Sequence, residues 1–152
     1  MLETVEGGEK RGRYSVIGMD PDMIWRTDGK IAEISQNGKK FNTVSDPAQP
    51  DTILTSLREI VKETQLPMPE GIPPMAAGLI GYLGYDSIRL SEKTVPDDNP
   101  DPIQIPTGIF MRPQVMLVLD SVLSHIYVFL QKNHNPVSKL LRRNTRIEKI
   151  EA

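Results

Sequence analysis

The chain has 152 residues, enough for one domain with a real core, and 38% of them are hydrophobic. Its formal net charge is −2 with acids and bases interspersed, which leaves no electrostatic footprint for nucleic acid or an anionic membrane. It has no cysteine, which excludes disulfides, thiolate catalysis and cysteine-ligated metal and fits a cytosolic (cytoplasmic) setting.

The first residues, Leu2, Glu3 and Thr4, read as part of an element already under way, followed by two glycines and a knot of charge. Tyr14 to Gly18 reads as a strand, and Met19-Asp20-Pro21-Asp22 as a turn with proline fixing φ. Met23 to Arg26 and Ile31 to Ser35 flank Asp28-Gly29, the dipeptide favoured in a type I′ hairpin turn. Asn37-Gly38 gives a second turn signal before Lys39 to Val44, so residues 14–44 predict an antiparallel meander. Asp46-Pro47 and Pro50-Asp51 then open a helix, in which Ile53, Leu54, Leu57, Ile60 and Val61 form one apolar stripe. Pro67 ends it, and a proline-rich connection follows.

The start of "AAGLIGYLGYDSIRL" is small and apolar and suits a buried strand. A long loop rich in Pro and Asp follows, over "KTVPDDNPDPIQIPTG". Gln114 to Asp120 and Ser124 to Gln131 are two apolar, β-branched strands around a short connection. Val115, Leu117 and Leu119 lie on one face and Met116 and Val118 on the other, a pattern of strands covered on both sides. If one of those faces were left bare, the chain would self-associate through the exposed sheet. The stretch from Val115 to Leu130 is too short and too polar to span a bilayer, so no membrane partner is expected. Asn135 as N-cap and Pro136 at the first helical position predict a final helix carrying Val137, Leu140, Leu141, Ile147 and Ile150. The fold class expected is therefore α+β, with a largely antiparallel sheet and about two helices, as a single domain over residues 1–152 cut at both ends from something longer.

Residue chemistry alone shows no active site. Gly78, Gly81 and Gly84 are spaced three and three, which fails the dinucleotide fingerprint, and the lysine of a phosphate loop is missing. Close backbone packing or a bend in a strand is the ordinary reading of such glycines. His125 and His134 lack acids at metal-ligand spacing. Asp97, Asp98 and Asp101 lack the calcium-loop pattern and read as a solvated loop. Lys139, Arg142, Arg143, Arg146 and Lys149 are mixed with acids, as on the wet face of a helix, and give no nucleic-acid patch.

Two stretches carry a family resemblance. "LETVEGGEKRGRYSVIGMDPDMIWR" resembles the segment near the start of anthranilate synthase component I, and "GLIGYLGYDSIRLSEK" resembles that family's glycine-rich segment. Their order matches, with a helix between them, and the strand pair from Gln114 to Gln131 sits where the family has one. The resemblance implies the N-terminal part of the large subunit of a lyase of tryptophan biosynthesis. That enzyme makes anthranilate from chorismate, takes ammonia from a glutamine amidotransferase subunit and uses Mg²⁺. The chorismate- and Mg²⁺-binding residues belong to the C-terminal domain of the family, which this chain does not match. No catalytic residue and no metal ligand is therefore carried over, no cofactor is expected in this chain, and the chain alone is expected to be inactive. What the resemblance does carry over is the feedback site for L-tryptophan, which falls on Leu2, Glu3 and Thr4, with Tyr14 and Ser15 as neighbours. The family usually has Ser where this chain has Thr4, which keeps the hydroxyl and adds a methyl. The alternatives are a fragment of the sister enzyme aminodeoxychorismate synthase component I, or a free-standing module that binds an amino acid or a protein.

Overall fold

The structure is a computed structural model. It describes residues 12–36, 38–65, 70–76, 78–98 and 100–130, and the backbone of 146–151. The described residues form seven strands and one α-helix, in the order β1 (Tyr14–Thr27), β2 (Ala32–Ser35), β3 (Asn42–Thr43), α1 (Asp51–Thr64), β4 (Ile80–Leu83), β5 (Gly108–Asp120), β6 (His125–Leu130) and β7 (Arg146–Glu151). Short 3-10 helices span Pro74–Ala76 and Tyr85–Leu90. The strands lie in the order β3-β2-β1-β5-β6-β7, and β4 also pairs with β5. The β1–β2, β2–β3, β4–β5, β5–β6 and β6–β7 pairings are antiparallel, so the architecture is α+β, as expected.

Contacts divide the chain into two compact units, one of residues 1–22, 65–78 and 113–152, the other of residues 23–64 and 79–112. In the second unit the core is built from Met23 and Trp25 of β1, Ala32 of β2, Ile53 and Ile60 of α1, and Leu90. Trp25 is fully buried, and its indole N–H donates to Ser56 Oγ at 3.0 Å. Ser56 in turn donates to the Ile53 carbonyl at 2.7 Å, so the buried hydroxyl has both of its roles filled. The helix face that is buried carries Ile53, Ser56, Ile60 and Thr64, while Val61 is 41% exposed. The helix is therefore turned slightly from the predicted stripe. Two hydroxyl residues can face the core because their oxygens bond within the helix or to the indole.

In the first unit, β5 and β6 form a hairpin in which Met116 faces Phe129 and Val118 faces Tyr127. These four side chains are buried, and Tyr127 stacks on Phe129 with ring centroids 6.2 Å apart. Val115, Leu117 and Leu119, on the opposite face of β5, are half-buried.

Three local expectations change. β1 runs through the predicted turn at 19–22 without a break. Residues 18–21 are an exposed part of that strand, and Asp20 (φ 51°) absorbs a local kink, so polarity there reflects exposure and not reversal. The β1–β2 connection has four residues, since Thr27 pairs with Ala32, and only Gly29 in it has a positive φ (89°). A type I′ turn needs two such residues. Asp28 instead accepts the N–H groups of Lys30 and Ile31 at 2.8 and 2.9 Å. β4 is mostly exposed, not a buried strand.

The largest correction concerns the predicted C-terminal helix. Residues 131–145 lie outside the described residues, but Arg146–Glu151 is a strand, paired antiparallel along all of β6. Ile147 and Ile150 sit at helical spacing, yet the open edge of β6 offers a full row of backbone hydrogen bonds. Tertiary pairing of that kind overrides a weak local preference.

Candidate functional site

Of the residues expected to meet tryptophan, Leu2, Glu3 and Thr4 lie outside the described residues. Tyr14 and Ser15 open β1 and are half-buried. Directly before them the structure builds a clasp that sequence reading missed. Arg13 Nε lies 3.0 Å from both carboxylate oxygens of Asp120, and Nη2 donates to Oδ2 at 2.7 Å. The Asp120 side chain is 1% exposed and that of Arg13 33%. The backbone N–H groups of Val122 and Leu123 donate to Asp120 Oδ1 at 3.1 and 3.2 Å.

The hydrogen bonds from Arg13 hold the Asp120 carboxyl below its ordinary pKa, against the opposing effect of burial, and the two N–H donors add to this. The same hydrogen bonds raise the Arg13 pKa. Ser121 completes the clasp, donating from its N–H at 2.9 Å and from Oγ at 3.0 Å to the Arg13 carbonyl. The Arg13 guanidinium also lies 4.9 Å from the Tyr14 ring centroid. Both edges of the salt bridge are committed, so the arrangement positions the start of β1 and is not itself reactive. No local signal could have found it, because Arg13 and Asp120 are 107 positions apart. The one hint was Asp120-Ser121, a carboxylate and a hydroxyl at a strand end, where such residues hold turns.

The glycine-rich stretch proves structural. A Cβ on Gly81 would lie 1.9 Å from the Ile109 carbonyl oxygen and 2.7 Å from Phe110 Cα. Gly81 pairs with Phe110, so this is a close approach of two backbones, as the ordinary reading held. Gly84 is tight as well, at 3.1 Å from the Thr107 oxygen, while Gly78 has open space.

Among the acids of the long loop, Asp97 pairs with Arg89 at 3.1 Å, and Asp101 accepts the N–H groups of Ile103 and Gln104 at 3.3 and 2.9 Å. His125 lies edge-on to Tyr127, with centroids 6.0 Å apart. His134 and the basic residues 139–143 lie outside the described residues. Among the described residues no three His, Asp or Glu side chains converge on one position. No helix among them is long and apolar enough to cross a membrane.

No family model matches the chain. Individual relatives do. It is 46% identical to anthranilate synthase component 1 of Cereibacter sphaeroides over 128 residues, covering 84% of this chain and 25% of the relative. It is 32% identical to the protein of the same name from Pseudomonas aeruginosa over 151 residues, covering 99% of this chain and 30% of the relative. The chain belongs to the anthranilate synthase component I family. The fold agrees with the crystal structure of anthranilate synthase component I from Streptococcus pneumoniae, at a TM-score of 0.58 and 21% identity, over 80% of this chain and 26% of that one. The chain thus spans between a quarter and a third of the length of these relatives.

Proposed function

We propose that this chain serves as the N-terminal part of anthranilate synthase component I, where it frames the catalytic region and takes part in feedback inhibition by tryptophan. The observation that carries the reading is the match to relatives of that name over 84% and 99% of the chain. In this reading the complete enzyme converts chorismate to anthranilate with ammonia from a glutamine amidotransferase subunit, in the cytoplasm. Chorismate and Mg²⁺ bind in the region that this chain does not span.

Leu2 supplies an apolar wall for the indole, Glu3 a carboxylate for the inhibitor's ammonium, and Thr4 a hydroxyl donor. Tyr14 and Ser15 directly follow Arg13, whose salt bridge to Asp120 fixes the start of β1 where these two residues lie. The clasp supports the reading because a weak, zwitterionic ligand needs its binding groups preorganised.

Two measurements test it. The chain alone, supplied with chorismate, Mg²⁺ and ammonia, is expected to form no anthranilate, and turnover by the chain alone would refute the framing role. Calorimetry with L-tryptophan is expected to give no heat with the chain alone and binding once the rest of component I is added. Micromolar binding by the chain alone would instead make it a self-contained amino-acid module.

A further inference from the structure

Asp120 and His125 are the last paired residues of the β5–β6 hairpin, with residues 121–124 turning between them. Ser124 completes that turn in the left-handed region, at φ 51°. Residues directly opposite on antiparallel strands share a face of the sheet, with Cβ atoms about 4.5–5.5 Å apart. The next pair on that face is Val118 and Tyr127, both buried, and the His125 ring meets Tyr127 edge-on. His125 therefore stands beside the carboxylate that Arg13 holds. On its other side the register places Glu151 of β7 opposite it.

The imidazole is half-buried, and its Nδ1 is buried without a hydrogen-bond partner. Native proteins keep few such atoms, because each costs free energy. In the neutral ring a bare nitrogen at Nδ1 only forgoes a bond as an acceptor. A protonated ring puts an N–H and a positive charge at the same buried point, and that demands an acceptor. Nδ1 and the Asp120 carboxylate oxygens each lie two bonds from their own Cβ, so rotation of the side chains is enough to bring them together. The Asp120 side chain is buried as well, so the attraction is weakly screened.

That carboxylate has no free position to offer. A carboxylate accepts at about four lone-pair positions. Four N–H groups already fill those of Asp120, namely Nε and Nη2 of Arg13 and the backbone N–H groups of Val122 and Leu123. A fifth donor has to displace one of them. The two backbone donors are set by the turn, whereas the Arg13 side chain is partly exposed and can return to water. Two cations crowded on one carboxylate repel each other, which favours exchange over sharing. Tyr127 and Tyr14 present rings to the imidazole and the guanidinium and supply no competing carboxylate. Glu151 is the rival acceptor.

We infer that His125 is a proton-operated switch of the clasp: when the imidazole gains a proton, Nδ1–H takes the Asp120 carboxylate and the Arg13 guanidinium is released. Asp120 keeps a cationic partner throughout and changes only which one it holds. Ser121 still binds the Arg13 carbonyl, so the start of β1 loses one of its two anchors and not both. Anchoring of that strand end thereby answers to pH over the range in which histidines change charge, well above the range in which carboxylates do. The inference does not rest on the component I reading.

The test is solution NMR of the full chain from about pH 8 to about pH 5. It follows the His125 ring, the Arg13 Nε–H and the N–H groups of Val122 and Leu123, with the exposed Arg58 as the reference for side-chain exchange. Protection of the Arg13 Nε–H relative to Arg58 is expected to fall about tenfold toward the acid end, with the same midpoint as the His125 ring, while the Val122 and Leu123 N–H groups stay protected. In His125→Gln, which keeps a polar side chain, and in His125→Phe, which fills the buried space, the Arg13 protection is expected to persist. A ring that gains its proton with no change at Arg13 overturns the inference, and so does a ring that gains none in this range. Equal loss of Arg13 protection in the parent and in either variant overturns it as well. Acid-induced shifts at Glu151 with Arg13 still protected assign the imidazole to β7 and also overturn it.

Discussion

Replacing Gly81 with alanine puts a Cβ directly against the backbone of β5. The added Cβ would stand 1.9 Å from the Ile109 oxygen, where ordinary contact begins at 3.4 Å, so β4 and β5 must separate locally by about 1.5 Å. The obstructing atoms are backbone and cannot rotate away. A ladder hydrogen bond stretched from about 2.9 Å by that amount is broken. Losing the bonds that flank Gly81, at about 1 kcal/mol each, together with the strain of an overpacked contact, costs about 2–4 kcal/mol. For a chain of this size that corresponds to a fall of roughly 5–15 °C in melting temperature. Trp25, the single tryptophan, reports the transition, because its ring lies 3.4 Å from a Cβ built on Gly108, the residue paired with Leu83 of β4. Gly78→Ala is the matched control, since a Cβ there meets nothing within 4 Å and its φ is not positive. It is expected to be neutral or to stabilise by about 0.4–1 kcal/mol, through the entropy of the unfolded chain. Equal effects of the two substitutions, or a melting temperature for Gly81→Ala within 2 °C (roughly the effect of 1 kcal/mol) of the parent, would refute the reasoning.

Ser56→Ala leaves the buried indole N–H of Trp25 without its acceptor and is expected to destabilise by about 1–3 kcal/mol in urea unfolding followed by tryptophan fluorescence. Asp120→Asn is expected to lower stability at neutral pH. The folded carboxyl titrates below its unfolded value, so its contribution is full above about pH 4 and disappears as the pH falls through the folded pKa. Melting curves of parent and variant should therefore converge in acid, and a constant gap down to pH 2 (below most carboxylate pKa values) would count against the clasp. Within component I, the same variant is expected to weaken tryptophan inhibition more than it lowers uninhibited turnover, read as separate changes in the inhibition constant and kcat. The half-buried face of Val115, Leu117 and Leu119 predicts self-association of the isolated chain, and a monomer in sedimentation that binds no apolar dye would contradict it.

Local pattern was enough for much of this molecule. The apolar run from Met23 to Arg26, the i, i+4, i+7 stripe of α1, and the paired apolar runs of β5 and β6 were each legible as an element, and each lies in a strand or helix of the expected kind. The same legibility gave the family, because its two motifs are contiguous stretches of chain. Tertiary structure alone decided what depended on partners distant in sequence. It made Arg146–Glu151 a strand, because the edge of β6 supplies hydrogen bonds that helical spacing could not foresee. It brought Arg13 to Asp120 across 107 positions and pressed Gly81 onto the backbone of β5, giving a salt bridge and a glycine meanings that their own neighbourhoods lack. Periodicity records which face of an element is buried, but only the folded chain determines what it is buried against.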